Sequence, residues 1–153
     1  MIFFIIIAAV LIVADQLVKA WIVANIALGE SVPLVKKFFS LTYYQNTGAA
    51  WSMLEGQMGF FTIVTIIAVG VCGYLLYKNR HGAKLYSLGL SLVLAGALGN
   101  FIDRVRLGYV VDMFQTDFVS FPIFNVADSC LVIGVILIFI YILFEEHFKG
   151  AKA

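Results

Sequence analysis

Residues 60–102 read FFTIVTIIAVGVCGYLLY-KNRHGAK-LYSLGLSLVLAGALGNFI. Two runs of 18 uncharged residues, 60–77 and 85–102, flank a short basic connection at residues 78–84. As a helix, each run is about 27 Å long, close to the thickness of the hydrocarbon core of a bilayer. Neither run alternates apolar and polar residues as a barrel strand does. The stretch therefore predicts two membrane-spanning helices joined by a tight loop.

Two further apolar segments, about 2–23 and 125–144, bring the predicted spans to four. The chain has 153 residues, of which 63% are hydrophobic and 12% are charged. Soluble domains contain about 45–50% apolar and about 25% charged residues, so this composition excludes a water-soluble globule. We expect a single polytopic membrane domain over residues 1–153, all-α in class, with four transmembrane helices.

The first segment has one alternative, a cleaved signal peptide. Such a peptide carries a basic n-region and a small-residue cleavage site, whereas Met1 is followed directly by Ile2 and Phe3. We therefore expect an uncleaved first span, with both termini on the same side. The loop at 78–84 holds three basic residues and no acid, and the positive-inside rule then makes the loop and both termini cytoplasmic. A count of every Lys and Arg is even between the two sides and does not decide the orientation.

Two longer segments, about 24–58 and 104–124, are predicted on the outer side. Residues 38–44 are rich in aromatic and β-favouring side chains, and turn-forming residues flank them. This pattern predicts a small β-containing extracytoplasmic segment between the first and second helices.

Charge and motif content exclude several function classes. Ten Lys and Arg against nine Asp and Glu give a net charge of +1, which offers no basic surface to nucleic acid. Cys72 and Cys130 lie in apolar runs without the spacing of a disulfide framework or a zinc site. There is no HExxH-type ligand set and no Gly-x-Ser-x-Gly elbow, and His81 and His147 map to the inner side. We expect no metal, no cofactor and no nucleic-acid partner.

The aspartates are the informative charges, because all five map to the outer side of the membrane: Asp15, Asp103, Asp112, Asp117 and Asp128. Asp128 precedes Glu145 by about 25 Å of helix, which puts it near the outer edge of the apolar slab. Ionisable groups at membrane depth are costly unless paired or hydrated, so they mark functional sites or ion pairs. Asp15 lies one helical turn from Lys19 on the same face, where a structural ion pair is an equal alternative to a functional role.

Asp112 ends an apolar run and Asp128 begins the fourth span. Two carboxyl groups brought together share a proton, so that one can accept a proton from water while the other donates a hydrogen bond to a carbonyl. This is the chemistry of aspartic peptidases, which requires no nucleophilic side chain. The sequence alone does not show that Asp112 and Asp128 meet.

The runner-up is a small proton-coupled transporter or membrane subunit with an interfacial Asp/Lys cluster. That class predicts acids through the depth of the bilayer or a repeat between the two halves of the chain. The acids of this sequence instead cluster at one edge, and no repeat is visible. A purely structural membrane subunit is a third alternative.

Five blocks occur in order among the predicted spans: DQLVK at 15–19, NTGAAW at 46–51, GNFIDR at 99–104, VVD at 110–112 and FNVAD at 124–128. Together they resemble the bacterial lipoprotein signal peptidase (type II) family over nearly the full length of the chain. One block would be a weak signal, whereas five in order are highly specific.

The resemblance implies an aspartic endopeptidase of the bacterial inner or cytoplasmic membrane, with its active site near the outer face. It would cut the signal peptide from prolipoproteins just before a diacylglyceryl-modified cysteine, and its partners would be these substrates and membrane lipids. The implied catalytic residues are Asp112 and Asp128. The implied substrate-binding or site-supporting residues are Asp15, Lys19, Asn46, Gly48, Asn100, Asp103, Arg104, Asn125 and Ala127.

Within that set, we expect the three asparagines to position the substrate backbone or the carboxyl groups. Asp103 and Arg104 are expected to brace the end of the third helix. Lys19, with Asp15, is expected to hold the outer loop to the first span.

Overall fold

The computed structural model describes residues 1–48 and 53–144. Ala49, Ala50 and Trp51 of the NTGAAW block, and residues 145–153 including His147, lie outside the described residues. The elements in chain order are α1 (Ile2–Asn25), β1 (Ser31–Val35), β2 (Phe39–Asn46), α2 (Met58–Lys78), α3 (Lys84–Leu107), β3 (Val110–Thr116) and α4 (Val126–Leu143).

Within the described residues, four helices are long and apolar enough to cross a membrane. The predicted all-α membrane fold with a small sheet is confirmed. The third helix continues beyond the apolar run, which ends at Ile102, and takes Asp103 and Arg104 into its last turns. It ends at Leu107 and is capped by Gly108. The φ of Gly108 is 81°, a left-handed conformation that glycine adopts without a steric penalty.

Helix α3 lies at the centre of the bundle and packs against α1, α2 and α4. Half of its most apolar window is buried, whereas 17% is buried in each of the other three helices. Its buried face consists mostly of small residues, which let neighbouring backbones approach closely where lipid provides no hydrophobic driving force. A Cβ on Gly134 of α4 would lie 2.7 Å from the carbonyl oxygen of Gly89 on α3, so these helices are in near backbone contact.

The three strands form an antiparallel sheet in the order β1-β2-β3. The hairpin of β1 and β2 comes from the segment between α1 and α2, where the sequence predicted a β-containing region. The third strand comes from the segment between α3 and α4 and pairs with β2, with Asp112 opposite Tyr44. The sequence pattern of β3 did not predict this pairing, because its partner β2 lies far away along the chain.

The sheet packs on the C-terminal end of α1. Val111 and Met113, both almost fully buried, pack against Ile22 of α1 and against Ile26, the residue that follows this helix. Since successive side chains of a strand point to opposite faces, Asp112 between them is directed away from α1. The packing of Val111 and Met113 against the end of α1 therefore determines the direction of the Asp112 side chain.

We predict that the close contact of α3 with α4 makes Gly96 intolerant of a methyl group. A Cβ at Gly96 would overlap the Ala127 carbonyl oxygen and lie 2.6 Å from Leu131 Cγ. Gly96→Ala should lower the free energy of unfolding by about 1–3 kcal/mol. Gly70→Ala on α2 is the matched control, because a Cβ added there has no non-neighbouring atom of the described residues within 4 Å. This variant should be neutral or slightly stabilising. Thermal unfolding in detergent measures both, and equal stability of the two variants would contradict the packing argument.

Candidate active site

A cavity of about 720 Å³ lies between α2 and α4, which both pack on α3. Its walls are mostly apolar and include Phe61, Val64 and Ala68 of α2 and Leu131 and Val132 of α4. Its charged and amide-bearing lining residues come from the ends of the helices nearest the sheet and from the sheet itself: Asn46, Asn100, Arg104, Asp112 and Asp128. The cavity is therefore an apolar cleft with a polar, charged end beside the sheet.

Asp112 and Asp128 both line this polar end of the cleft, and Asn125 links them. Asn125 Nδ2 donates to Asp112 Oδ1 at 2.6 Å, and the Asn125 backbone N–H donates to Asp128 Oδ2 at 3.1 Å. The Asp128 backbone N–H donates back to Asn125 Oδ1 at 2.8 Å, which completes a capping box at the start of α4. The motif that begins α4 therefore also fixes Asp128 relative to Asp112.

The other two carboxylate oxygens also accept hydrogen bonds from asparagine amides. Asn46 Nδ2 donates to Asp112 Oδ2 at 2.9 Å, and Asn100 Nδ2 donates to Asp128 Oδ1 at 2.7 Å. The Gly48 backbone N–H donates to Asn46 Oδ1 at 2.9 Å, which turns the Asn46 amide group towards Asp112. All three asparagine side chains thus donate a hydrogen bond to the carboxyl group of Asp112 or Asp128.

The electrostatic setting of Asp112 favours its protonated form. The side chain is 1% exposed, and this burial, together with the nearby charge of Asp128, raises the pKa of Asp112 to about 7. Hydrogen bonds from Asn46 and Asn125, and the charge of Lys19, act in the opposite direction on this pKa. Two carboxyl groups in each other's field titrate as a unit, so the pair retains a proton near neutral pH.

A buried charge cluster lies behind the asparagines. Lys19 Nζ lies 2.9 Å from Asp15 Oδ2 and 2.9 Å from Asp103 Oδ2, and it donates to Asn100 Oδ1 at 3.0 Å. Asp103 Oδ2 also accepts the Val111 backbone N–H at 3.1 Å, so the cluster reaches β3. Lys19 therefore joins α1 to α3, and Asp103 connects that junction to β3.

Asp15 extends the same cluster to the fourth helix. Its Oδ1 accepts the Ala127 backbone N–H at 2.9 Å. This N–H lies in the first turn of α4, where backbone donors have no partner within the helix. A Cβ at Gly99 would lie 2.8 Å from Asp15 Oδ2, so only glycine leaves room for this carboxylate against α3. Ala127 thus contributes its backbone to the site.

Gln16 belongs to this cluster, although the sequence did not single it out. Its amide donates to Asp103 Oδ1 at 2.8 Å and to the Gly99 carbonyl oxygen at 3.2 Å. Its position inside the DQLVK block was the available signal. Its partners are on α3, so only the packing of α1 on α3 identifies its role.

Arg104 faces the cavity. Its guanidinium carbon lies 4.5 Å from the centroid of the Phe61 ring on α2, and Nη2 donates to the Gly48 carbonyl oxygen at 3.3 Å. These contacts join α3 to α2 and to the turn after β2, which is a wider role than the predicted bracing of α3 alone. The α2 wall of the cavity was not predicted either, because a uniformly apolar run does not show which face is turned inward.

Four of the five aspartates come together at this site, and Asp117 does not. Asp117 is exposed just beyond the end of β3, where it accepts a hydrogen bond from Ser40 Oγ at 2.6 Å. The remaining four divide between the cavity, with Asp112 and Asp128, and the buried cluster behind it, with Asp15 and Asp103. The first pair lines the cavity, whereas the second pair is bridged by Lys19.

Comparison with known proteins identifies the family. A family model described as signal peptidase (SPase) II matches residues 7–144. The lipoprotein signal peptidase of Enterococcus faecalis is 60% identical over 146 residues, covering 95% of this chain and 89% of that protein. That of Latilactobacillus sakei is 59% identical over 146 residues, covering 95% and 97% respectively.

A solved structure agrees with these sequence matches. It is described as a bacterial membrane enzyme determined by the in meso method at 2.3 Å resolution, and it matches with a TM-score of 0.88 and 44% identity. The match covers 92% of this chain and 87% of that chain. Since sequence and structure agree over nearly the whole length, this chain belongs to the signal peptidase II family and is a multi-pass membrane protease.

Proposed function

We propose that this protein removes the signal peptide from diacylglyceryl-modified prolipoproteins, cutting just before the lipidated cysteine, with Asp112 and Asp128 as the catalytic pair. The observation that carries the proposal is the location of both aspartates, linked through Asn125, at the polar end of an apolar cleft. The lipoprotein signal peptidases to which the chain is similar support the substrate class.

In the proposed mechanism, Asp112 carries the shared proton and Asp128 is ionised. Asp128 takes a proton from a water molecule, whose oxygen attacks the scissile carbonyl carbon while Asp112 protonates the carbonyl oxygen. The tetrahedral intermediate then collapses. Asp128 gives its proton to the leaving amine nitrogen, and the hydroxyl proton returns to Asp112 as the carbonyl re-forms. The pair ends in its starting state.

The shape of the cleft supports this substrate. The hydrophobic helix of a signal peptide fits between α2 and α4, where the walls are apolar, and the diacylglyceryl chains remain in the surrounding lipid. The scissile bond then lies at the outer end, beside the aspartates. We place the loop at 78–84 and both termini in the cytoplasm of a bacterial cell, so that this end faces outward.

The transporter alternative needs ionisable groups along the depth of the cleft. Among the described residues that line it, the charged ones are Arg104, Asp112 and Asp128, all at the outer end. This distribution favours a peptidase over a proton-coupled transporter.

We predict that Asp112→Asn and Asp128→Asn each lower the cleavage rate by at least about 100-fold, because each removes a proton donor or acceptor from the reaction. The assay uses purified protein in detergent with a synthetic diacylglyceryl-modified prolipoprotein. Asp117→Asn, at the exposed aspartate beyond β3, is the matched control and should cleave at the normal rate. Full activity of either Asp112→Asn or Asp128→Asn would refute the assigned chemistry.

We predict an alkaline limb in the pH profile of kcat/KM with a midpoint near pH 7. As pH rises through the Asp112 pKa of about 7, the pair loses its last proton and the carbonyl loses its donor. Asn46→Leu removes a hydrogen bond that favours ionised Asp112, so this limb should move to higher pH. Gln115→Leu removes an amide bonded to Thr42 elsewhere on the sheet and should leave the limb in place. An unmoved limb in Asn46→Leu would count against the assignment.

We predict that filling the cleft weakens substrate binding. Ala68 lines the α2 wall, so Ala68→Phe should raise KM about tenfold with little change in kcat, the pattern of lost ground-state binding. Ile67 is 59% exposed and absent from the cavity lining, so Ile67→Phe adds a ring that faces the lipid and should leave KM unchanged. Equal KM values for the two variants would exclude the cleft as the binding site.

A further inference from the structure

Three side chains connect α1 to the polar end of the cleft by hydrogen bonds. Lys19 Nζ donates to Asn100 Oδ1 at 3.0 Å, and Asn100 Nδ2 donates to Asp128 Oδ1 at 2.7 Å. Lys19 is 3% exposed and does not line the cavity, whereas Asn100 and Asp128 do. The side-chain hydrogen bonds from Lys19 to the Asp128 carboxylate therefore run through Asn100.

The ammonium group of Lys19 is held in one place. Its three donors face three oxygens, one each from Asp15, Asp103 and Asn100, at 2.9, 2.9 and 3.0 Å. An ammonium has three donors and no acceptor, so this set uses its full hydrogen-bonding capacity. Lys19 thus presents a fixed donor to Asn100.

This donor decides the orientation of the Asn100 amide. Asn100 Oδ1 accepts from Lys19 and also from Asn125 Nδ2 at 3.1 Å. A flipped amide would point its NH₂ group at these two donors and its oxygen at the Asp128 carboxylate. Both contacts would be repulsive, and buried polar groups without partners are costly. The NH₂ group of Asn100 is therefore directed at Asp128.

We propose that Lys19 is a positioning residue that acts through Asn100: it locks the amide so that Asp128 always receives a hydrogen bond on Oδ1, which holds that carboxylate ionised and oriented towards the attacking water. This inference rests on the proposed function, because it assigns Asp128 the role of accepting the proton of water. It adds a catalytic reason for a lysine whose ion pairs alone indicate a structural role.

Other charged groups also surround Asp128, and the test must leave them in place. They are Asp15 on α1, Arg104 on α3 and Asp112 on β3, and Asp103 on α3 lies behind them in contact with Lys19. Lys19→Arg keeps the positive charge near all of them. A planar guanidinium fork does not reproduce the three-way contact of an ammonium group, so this variant disturbs the bond to Asn100 while preserving the charge.

The experiment measures kcat, KM, the pH profile and the melting temperature of Lys19→Arg, Lys19→Met and Gln16→Leu. In Lys19→Arg we expect kcat to fall about 10- to 100-fold with KM unchanged, since misplaced catalytic groups slow chemistry and not binding. The acid limb of kcat/KM should move to higher pH while the alkaline limb stays. In Lys19→Met, which also removes the charge, both limbs should move to higher pH.

Gln16→Leu is the matched control, because Gln16 donates to Asp15 and Asp103 of the same cluster and makes no hydrogen bond to Asn100. It should lower the melting temperature and leave both limbs in place. A normal kcat and acid limb in folded Lys19→Arg would overturn the proposal, as would a loss of activity that only follows the loss of folded protein.

The outcomes for Asp112→Asn and Asp128→Asn separate this inference from the proposed function. If those variants are inactive while Lys19→Arg behaves as the unmodified protein, the catalytic pair stands and the role of Lys19 is wrong. If either aspartate variant retains full activity, the proposed function itself fails.

Discussion

The buried ammonium group of Lys19 is the interaction on which the site depends. It forms ion pairs with both Asp15 and Asp103, two buried carboxylates that would be costly to ionise without it. Through these two carboxylates it reaches the first turn of α4, at the Ala127 N–H, and the start of β3, at the Val111 N–H. One cation thus ties together three spanning helices and the strand that carries Asp112.

The cluster forms only because α3 is lined with small residues. Gly99 gives the Asp15 carboxylate room against the helix, and Gly89 and Gly96 bring α4 into near backbone contact with α3. Lipid tails are as apolar as leucine, so close packing and buried polar contacts replace the hydrophobic effect as the forces that hold helices together. The same small residues therefore serve the fold and the site, because they bring Asn100 and Asn125 within hydrogen-bonding distance.

Several local motifs serve stability and site geometry at once. The capping box of Asn125 and Asp128 satisfies the donors at the start of α4 and also orients Asp128. The packing of Val111 and Met113 against α1 holds the sheet in place. Because side chains alternate between the two faces of a strand, Asp112 then points to the other face. Within the described residues, no buried side-chain nitrogen or oxygen lacks a hydrogen-bond partner. The polar end is therefore preorganised before a substrate arrives.

The sequence by itself determined the membrane class, the four spanning helices and the β-containing segment between the first two helices, because apolar run length and strand-forming composition are local properties. It also predicted that all five aspartates lie near the same edge of the membrane, since depth follows from position along a helix. Tertiary structure alone decided which of them meet: Asp117 remains exposed, while Asp112 reaches Asp128 through the pairing of β3 with β2. Gln16, the cavity face of Arg104 and the α2 wall were likewise set by helix packing, because a uniformly apolar run does not encode which side faces a neighbour.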